Sequence, residues 1–297
     1  MRKDGAMDPQ LVSGLDTAAR WVEAGLDSMA MYHDGTQLPA HCRYALSTGG
    51  KRIRPFLVRQ ACLAIGGDPE RALPAACAVE MVHTYSLVHD DLPSMDDDDT
   101  RRGMPTLHKS AGEANAILAG DRLLVEAFRT LSLTPGPPGR VNEMMLRLSE
   151  ASGARYLVGG QFMDMFPPDD AGEAWIRTMV RGKTAALIRV SLELGALSAG
   201  ADTCLLDAVS GLGDRLGFLF QLTDDILDVT GSQAEMGKAV GKDASQGKWN
   251  PVAALGLSGA VGRAATEAAA LSDAFLALGA GWRPVADLCL YLPDRRS

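Results

Sequence analysis

Aromatic residues make up only 5% of this 297-residue chain, which removes most of the bulky side chains that favour β-sheets. Cysteine is also scarce. Cys42, Cys62, Cys77, Cys204 and Cys289 are odd in number and widely spaced, with no CxxC, so neither a disulfide framework nor a structural zinc site is expected, and a reducing cytoplasmic location is. Positive charge is in deficit, with a formal net charge of −8, and a general nucleic-acid binder would carry a basic surface instead. Long apolar runs are missing too. The first residues, MRKDGAMDPQ, contain no apolar stretch of the signal-peptide kind, and nowhere do about eighteen apolar residues run without interruption, so no stable membrane insertion is expected. What remains is 46% hydrophobic content rich in Ala, Leu, Gly and Met, enough for a large helical core. The expectation is an all-α fold, one domain over residues 1–297 with about the first eight residues flexible.

The densest chemistry lies in MVHTYSLVHDDLPSMDDDDTRRGMP, Met81–Pro105, with six aspartates, two arginines and two histidines. Pro93 ends the preceding apolar helix, so Asp90 and Asp91 fall at a helix C-terminus, where negative charge opposes the dipole. Two readings are open for such a run: a solvated acidic turn, or oxygen ligands for a hard divalent cation that also binds substrate phosphates. His83 lies two helical turns before Asp90 on nearly the same face. A second acidic set occurs in FLFQLTDDILDV, Phe218–Val229, where Asp224, Asp225 and Asp228 share one stripe with Gln221. Apolar residues fill much of the rest of that helix. It is expected to be largely buried, and buried carboxylates must be paired or hold metal.

Cations occur in separate clusters. GGKRIRP, Gly49–Pro55, offers Lys51, Arg52 and Arg54 after a glycine pair, a pattern suited to an oxyanion or to a plain basic loop. Helix is expected over Phe56–Ile65. Arg101 and Arg102 follow the acidic run. RGKT, Arg181–Thr184, is expected to open an apolar helix, presenting Lys183 and Thr184 at its N-terminus; it lacks P-loop spacing, which excludes that nucleotide-binding motif. A single helix is expected over Val141–Met165, carrying GGQFMD at Gly159–Asp164, with Gln161 and Asp164 on one face. Thr134–Gly139 reads as a connection between helices. Gly237–Lys238, Gly241–Lys242 and Gly247–Lys248 suit a lid or an ordinary flexible loop.

Taken together and in order, GGKRIRP, DDLPSMD with RRG, GGQFMD, GKT and QLTDDILD resemble the trans-isoprenyl diphosphate synthases, most closely the bacterial farnesyl diphosphate synthases. The resemblance runs from about Gly49 to Lys248. It implies a helical bundle around a central cavity, a homodimer, and condensation of isopentenyl diphosphate with an allylic diphosphate. It further implies Mg²⁺, usually three ions, with Mn²⁺ as the alternative, on Asp90, Asp91 and Asp96 and on Asp224, Asp225 and Asp228. Arg101, Lys183 and Lys238 match contacts to the allylic diphosphate, with Lys248 also on the substrate side. Lys51, Arg54, His83 and Arg102 match the isopentenyl diphosphate site. Thr184 and Gln221 match groups near the developing cation.

Chain length in such enzymes depends on residues just before the first acidic motif. Tyr85 lies about 7.5 Å down the helix from Asp90 at 1.5 Å per residue, with the small Ser86 beside it, so a fifteen-carbon product is expected. Tyr156-Leu157 stands where relatives often carry Gly-Met, which keeps a ten-carbon product open; a twenty-carbon, geranylgeranyl product is the other alternative, and Trp249-Asn250-Pro251 departs from the pattern after Lys248. A class I terpene cyclase would lack the paired acidic motifs and the second diphosphate site. A regulatory synthase subunit would typically have lost one acidic motif, and a calcium-binding helical protein would not explain the cationic clusters.

Overall fold

The computed structural model describes residues 8–29, 35–234 and 251–295, and over these the protein is all-α apart from one small hairpin. Two compact units account for the chain. The first comprises Ser13–Ser149 and Ser191–Asp202; the second comprises the described parts of Met1–Val12, Glu150–Val190 and Thr203–Ser297.

The first unit is built around α4 (Pro69–Asp90). Asp68 caps it by accepting from the Glu70 N–H, and Pro69 occupies the first turn, where its missing N–H is harmless. Ala72, Ala75, Ala76, Cys77, Ala78, Val79, Met81 and Val82 are all fully buried, so this helix is apolar on nearly every side and sits inside its unit. It meets α1 (Pro9–Met29), most of which belongs to this unit, at Cys77, whose thiol reaches the Val22 carbonyl, and α2 (Leu38–Ser47), α3 (Ile53–Ala64) and α6 (Glu113–Ser132) pack on it; α5 (Leu107–Ala111) packs on α2 and α6, and most of α7 (Pro138–Ser152) belongs to the same unit. The proline-rich segment does link two helices, α6 and α7, as its composition predicts. Helix α3 begins at Ile53, earlier than the expected Phe56, because Arg52 turns the chain with a left-handed backbone, φ 47°, and Pro55 falls within the first turn.

Between α4 and α5, β1 (Thr100–Arg101) pairs antiparallel with β2 (Met104–Pro105), Arg101 opposite Met104. The two-residue loop is Arg102-Gly103, both at positive φ, 52° and 78°, the geometry of the tight turns that match strand twist. The glycine of the RRG triplet is there for backbone geometry.

The second unit contains α8 (Leu157–Met165), α9 (Glu173–Val180), the start of α10 (Ala186–Ala199), α11 (Thr203–Ala234), α12 (Pro251–Ala277) and α13 (Arg283–Tyr291). The expected helix over Val141–Met165 is two helices, since α7 stops at Ser152 and the chain turns before α8. The turn sets Gly160 so close to the Lys183 backbone nitrogen that a Cβ there would collide with it. Nor does RGKT open a helix. Arg181–Ala185 is a π-helical turn running on from α9 into α10, so no free helix N-terminus is offered there; such turns insert one residue into a continuous helix. The α11 core face, Leu206, Val209, Leu216 and Leu219, is buried. Its acidic segment is not the largely buried helix expected, because Leu222, Ile226, Leu227 and Val229 are each only half-buried. Phe275 and Trp282 stack at 5.7 Å under α13. No helix among the described residues is long and apolar enough to cross a membrane.

Candidate active site

Both acidic motifs and three of the cationic clusters fall on described residues. Lys238, Lys248 and Trp249-Asn250 lie outside them.

In the first unit, Pro93 closes α4 and the chain folds back tightly. The Asp96 N–H donates to the Asp90 carbonyl at 2.8 Å, and the Asp97 N–H to that of Leu92 at 3.1 Å. This brings Asp96 beside Asp90, the former exposed and the latter half-buried. Both carry hard oxygen donors of the kind Mg²⁺ takes, commonly one or two carboxylates plus substrate phosphates. Asp91 is different. It is 4% exposed, and its Oδ1 accepts from both Arg101 Nε at 2.7 Å and Arg101 Nη2 at 2.6 Å. Burial raises the Asp91 pKa while the arginine opposes that rise. Asp98 reaches the same guanidinium at 3.7 Å.

The rest of the acidic run is braced as well as solvated. Exposed Asp99 pairs with Lys109 at 2.8 Å, while oxygens of Asp97 and Asp99 and a nitrogen of buried His108 lie within 4.8 Å of one another.

Arg102 donates Nη1 to the Gly49 carbonyl. Gly50, at φ 125°, lies so near that guanidinium that an added Cβ would meet it at 2.5 Å. The hairpin thereby joins the GGKRIRP loop to the acidic turn. His83 senses the result: burial, then Arg54, Arg102, Arg101 and Arg52 in that order, hold its pKa well below 6.5. At neutral pH it is uncharged, and the arginines around it suit an oxyanion. Among the three loop cations, Arg52 has a structural task. It donates to Glu80 at 2.5 Å and to the Leu46 carbonyl at 2.5 Å, and it is 5% exposed. Lys51 is exposed and Arg54 half-buried.

Tyr85 is 6% exposed and meets His89 edge-on, ring centroids 5.8 Å apart. Burial pushes its phenol up to about 12. Ser86 spends its hydroxyl on the His83 carbonyl at 2.9 Å.

In the second unit, Lys183 donates to Asp164 Oδ2 at 2.6 Å. Asp164 is thus a site residue that sequence reasoning did not assign; its i, i+3 spacing from Gln161 within GGQFMD was the available signal. Thr184 Oγ1 donates to Gln221 Oε1 at 2.6 Å, and Gln221 Nε2 donates to Asp225 Oδ1 at 2.9 Å. One hydrogen-bonded chain thus links the π-helical turn to the second acidic motif. Asp224 pairs with Arg295, and Asp228 is exposed. This all-oxygen donor set on one helix also suits Mg²⁺. The Tyr156 ring stacks on Arg189 at 4.5 Å, and Asp214 holds that arginine at 3.4 Å.

The sequence profile of the polyprenyl synthetase family matches residues 36–271. The chain belongs to that family. Among characterised relatives, farnesyl diphosphate synthase of Geobacillus stearothermophilus is 45% identical over 226 residues, covering 73% of this chain and 74% of the relative. Geranylgeranyl pyrophosphate synthase 11, chloroplastic, of Arabidopsis thaliana is 42% identical over 246 residues, covering 80% and 69% respectively. Among solved structures, a geranyltransferase from Legionella pneumophila superposes with a TM-score of 0.84 at 28% identity, covering 97% of each chain. An FPP/GFPP synthase from Zymomonas mobilis, in its apo form, gives 0.79 at 31%, covering 93% of this chain and 97% of that one. This polyprenyl synthetase is a prenyltransferase.

Proposed function

We propose that the protein joins isopentenyl diphosphate to dimethylallyl or geranyl diphosphate, head to tail and with Mg²⁺, and that its main product is farnesyl diphosphate. The observation that carries the reading is the positive field around neutral His83 in the same unit as the adjacent acids Asp90 and Asp96. An anion pocket next to hard-metal ligands is what two diphosphate substrates require.

Asp90, Asp91 and Asp96, with Asp224, Asp225 and Asp228, are the proposed Mg²⁺ ligands; bound Mg²⁺ supplies positive charge that stabilises the departing diphosphate. Arg101, Lys183 and Lys238 bind the allylic diphosphate, with Lys248 on the same side. Asp91 and Asp164 hold the first two of these cations in position through the hydrogen bonds described. Lys51, Arg54, His83 and Arg102 bind isopentenyl diphosphate. His83 does so as a neutral donor, and its depressed pKa makes it a poor base, so the proton lost after carbon–carbon bond formation goes to the released diphosphate. Thr184 and Gln221 present their linked dipoles to the allylic cation.

The relatives carry both farnesyl and geranylgeranyl names, so product length is read from the chain's own residues. Buried Tyr85 supports a fifteen-carbon limit. Tyr156 gives little support to the ten-carbon alternative, since its ring is taken up by Arg189. A geranylgeranyl product is the second reading, favoured by the similarity to the Arabidopsis relative. Chromatography of the products from labelled isopentenyl diphosphate and dimethylallyl diphosphate decides between them. Fifteen carbons are expected from the native chain and longer products from Tyr85→Ala; an unchanged profile in the variant contradicts the role of Tyr85. A homodimer belongs to the same proposal, supported by the exposed apolar stripe of Ile117, Leu118 and Val125 on α6.

A further inference from the structure

The three carboxylates of the second acidic motif share one face of α11, where like charges four residues apart destabilise a helix. Side chains donate to Asp225 and to Asp224. Gln221 serves Asp225 at 2.9 Å, and Arg295, seventy-one residues further along the sequence, serves Asp224. Arg295 is anchored more firmly than a surface ion pair requires. Its side chain is 5% exposed, its guanidinium lies 4.4 Å from the centre of the Phe220 ring, and Nη2 also donates to the Phe220 carbonyl at 3.4 Å. The chain delivers it there through α13 and a short 3₁₀ turn, Leu292–Asp294, whose Leu292 is buried. Asp224 is open by comparison, with 40% of its side chain exposed.

We propose that Arg295 is a positioning residue that stands in for a metal ion at Asp224 and yields that carboxylate when the ion binds. The inference rests on the reading of Asp224 as a Mg²⁺ ligand given above. A guanidinium and a divalent cation on one carboxylate repel each other, so an ion at Asp224 weakens its pair with Arg295. The stacking on Phe220 and the bond to its carbonyl leave Arg295 a place to remain once the carboxylate is surrendered. Arg295 therefore lowers the apparent metal affinity of the motif while relieving the repulsion among its carboxylates.

Mn²⁺ binding, followed by the electron paramagnetic resonance signal of the free ion, tests this on the full chain. Arg295→Ala is expected to bind Mn²⁺ about fivefold more tightly, the scale of a partly exposed ion pair, and its metal-free form is expected to melt at a lower temperature. Arg295→Lys restores part of both effects, and in a chain already carrying Asp224→Ala the further change Arg295→Ala no longer alters Mn²⁺ affinity. If Asp224→Ala weakens Mn²⁺ binding while Arg295→Ala leaves it unchanged or weaker, the inference is overturned and the metal role of Asp224 stands. If Asp224→Ala binds Mn²⁺ as the native chain does, both fall.

Discussion

The two acidic motifs meet the same difficulty, the repulsion between neighbouring carboxylates, by different local structures. The first interrupts a helix. Pro93 ends α4, a tight turn sets Asp96 beside Asp90, and the Arg102-Gly103 hairpin returns Arg101 to Asp91. The second keeps its helix and uses periodicity, placing Gln221, Asp224, Asp225 and Asp228 on one stripe, with Gln221 and Arg295 as donors. A broken helix allows a carboxylate to be buried in a fork, as Asp91 is. A continuous one leaves its acids partly exposed and quieted by side chains from elsewhere.

The largest expected effect tests whether these unlike constructions serve one reaction. Asp90→Ala and Asp224→Ala should each lower the condensation rate about a thousandfold, the scale of losing a charge-stabilising group at a reacting centre, with unchanged circular dichroism. If one motif were only structural, its variant would keep its rate.

Much of this was legible in the residues. The helical class and the end of α4 shortly before Pro93 follow from composition and proline chemistry, and the resemblance assigns Thr184 and Gln221 to one reacting group, but the hydrogen bond between them comes from the structure. The π-helical turn at Arg181–Ala185 was not, because a helix with one inserted residue has the composition of an ordinary helix. The RRG hairpin was missed because two-residue strands carry no alternation to read. Arg52 and Arg54 look equivalent in GGKRIRP, yet the left-handed backbone of Arg52 turns its side chain inward onto Glu80. That distinction depends on a partner twenty-eight residues away.

Arg52 can be set experimentally against Lys51, its exposed neighbour in the same loop. Arg52→Ala strands the buried Glu80 carboxylate and should destabilise the fold by about 3–5 kcal/mol, read by denaturant unfolding. Lys51→Ala should leave stability within about 0.5 kcal/mol and raise the KM for isopentenyl diphosphate. Equal unfolding midpoints for the two variants would erase the contrast between them.

The smallest effect is a pH slope. Folding holds the His83 pKa well below its ordinary 6.5, so below pH 6.5 the unfolded chain takes up a proton that the folded one refuses. Its contribution to stability is complete above that pH and is lost as pH falls, by less than about 1.4 kcal/mol per pH unit. His83→Gln should flatten the decline in melting temperature between pH 6.5 and 5; an identical decline would place the charge cluster elsewhere.

Prenyl transfer supported by both motifs is measured most directly by incorporation of labelled isopentenyl diphosphate by the native chain with an allylic diphosphate, with Mg²⁺ and with the metal chelated. A labelled fifteen-carbon diphosphate that forms only with the metal is expected. Failure to condense with any allylic primer, or equal product after chelation, would contradict it.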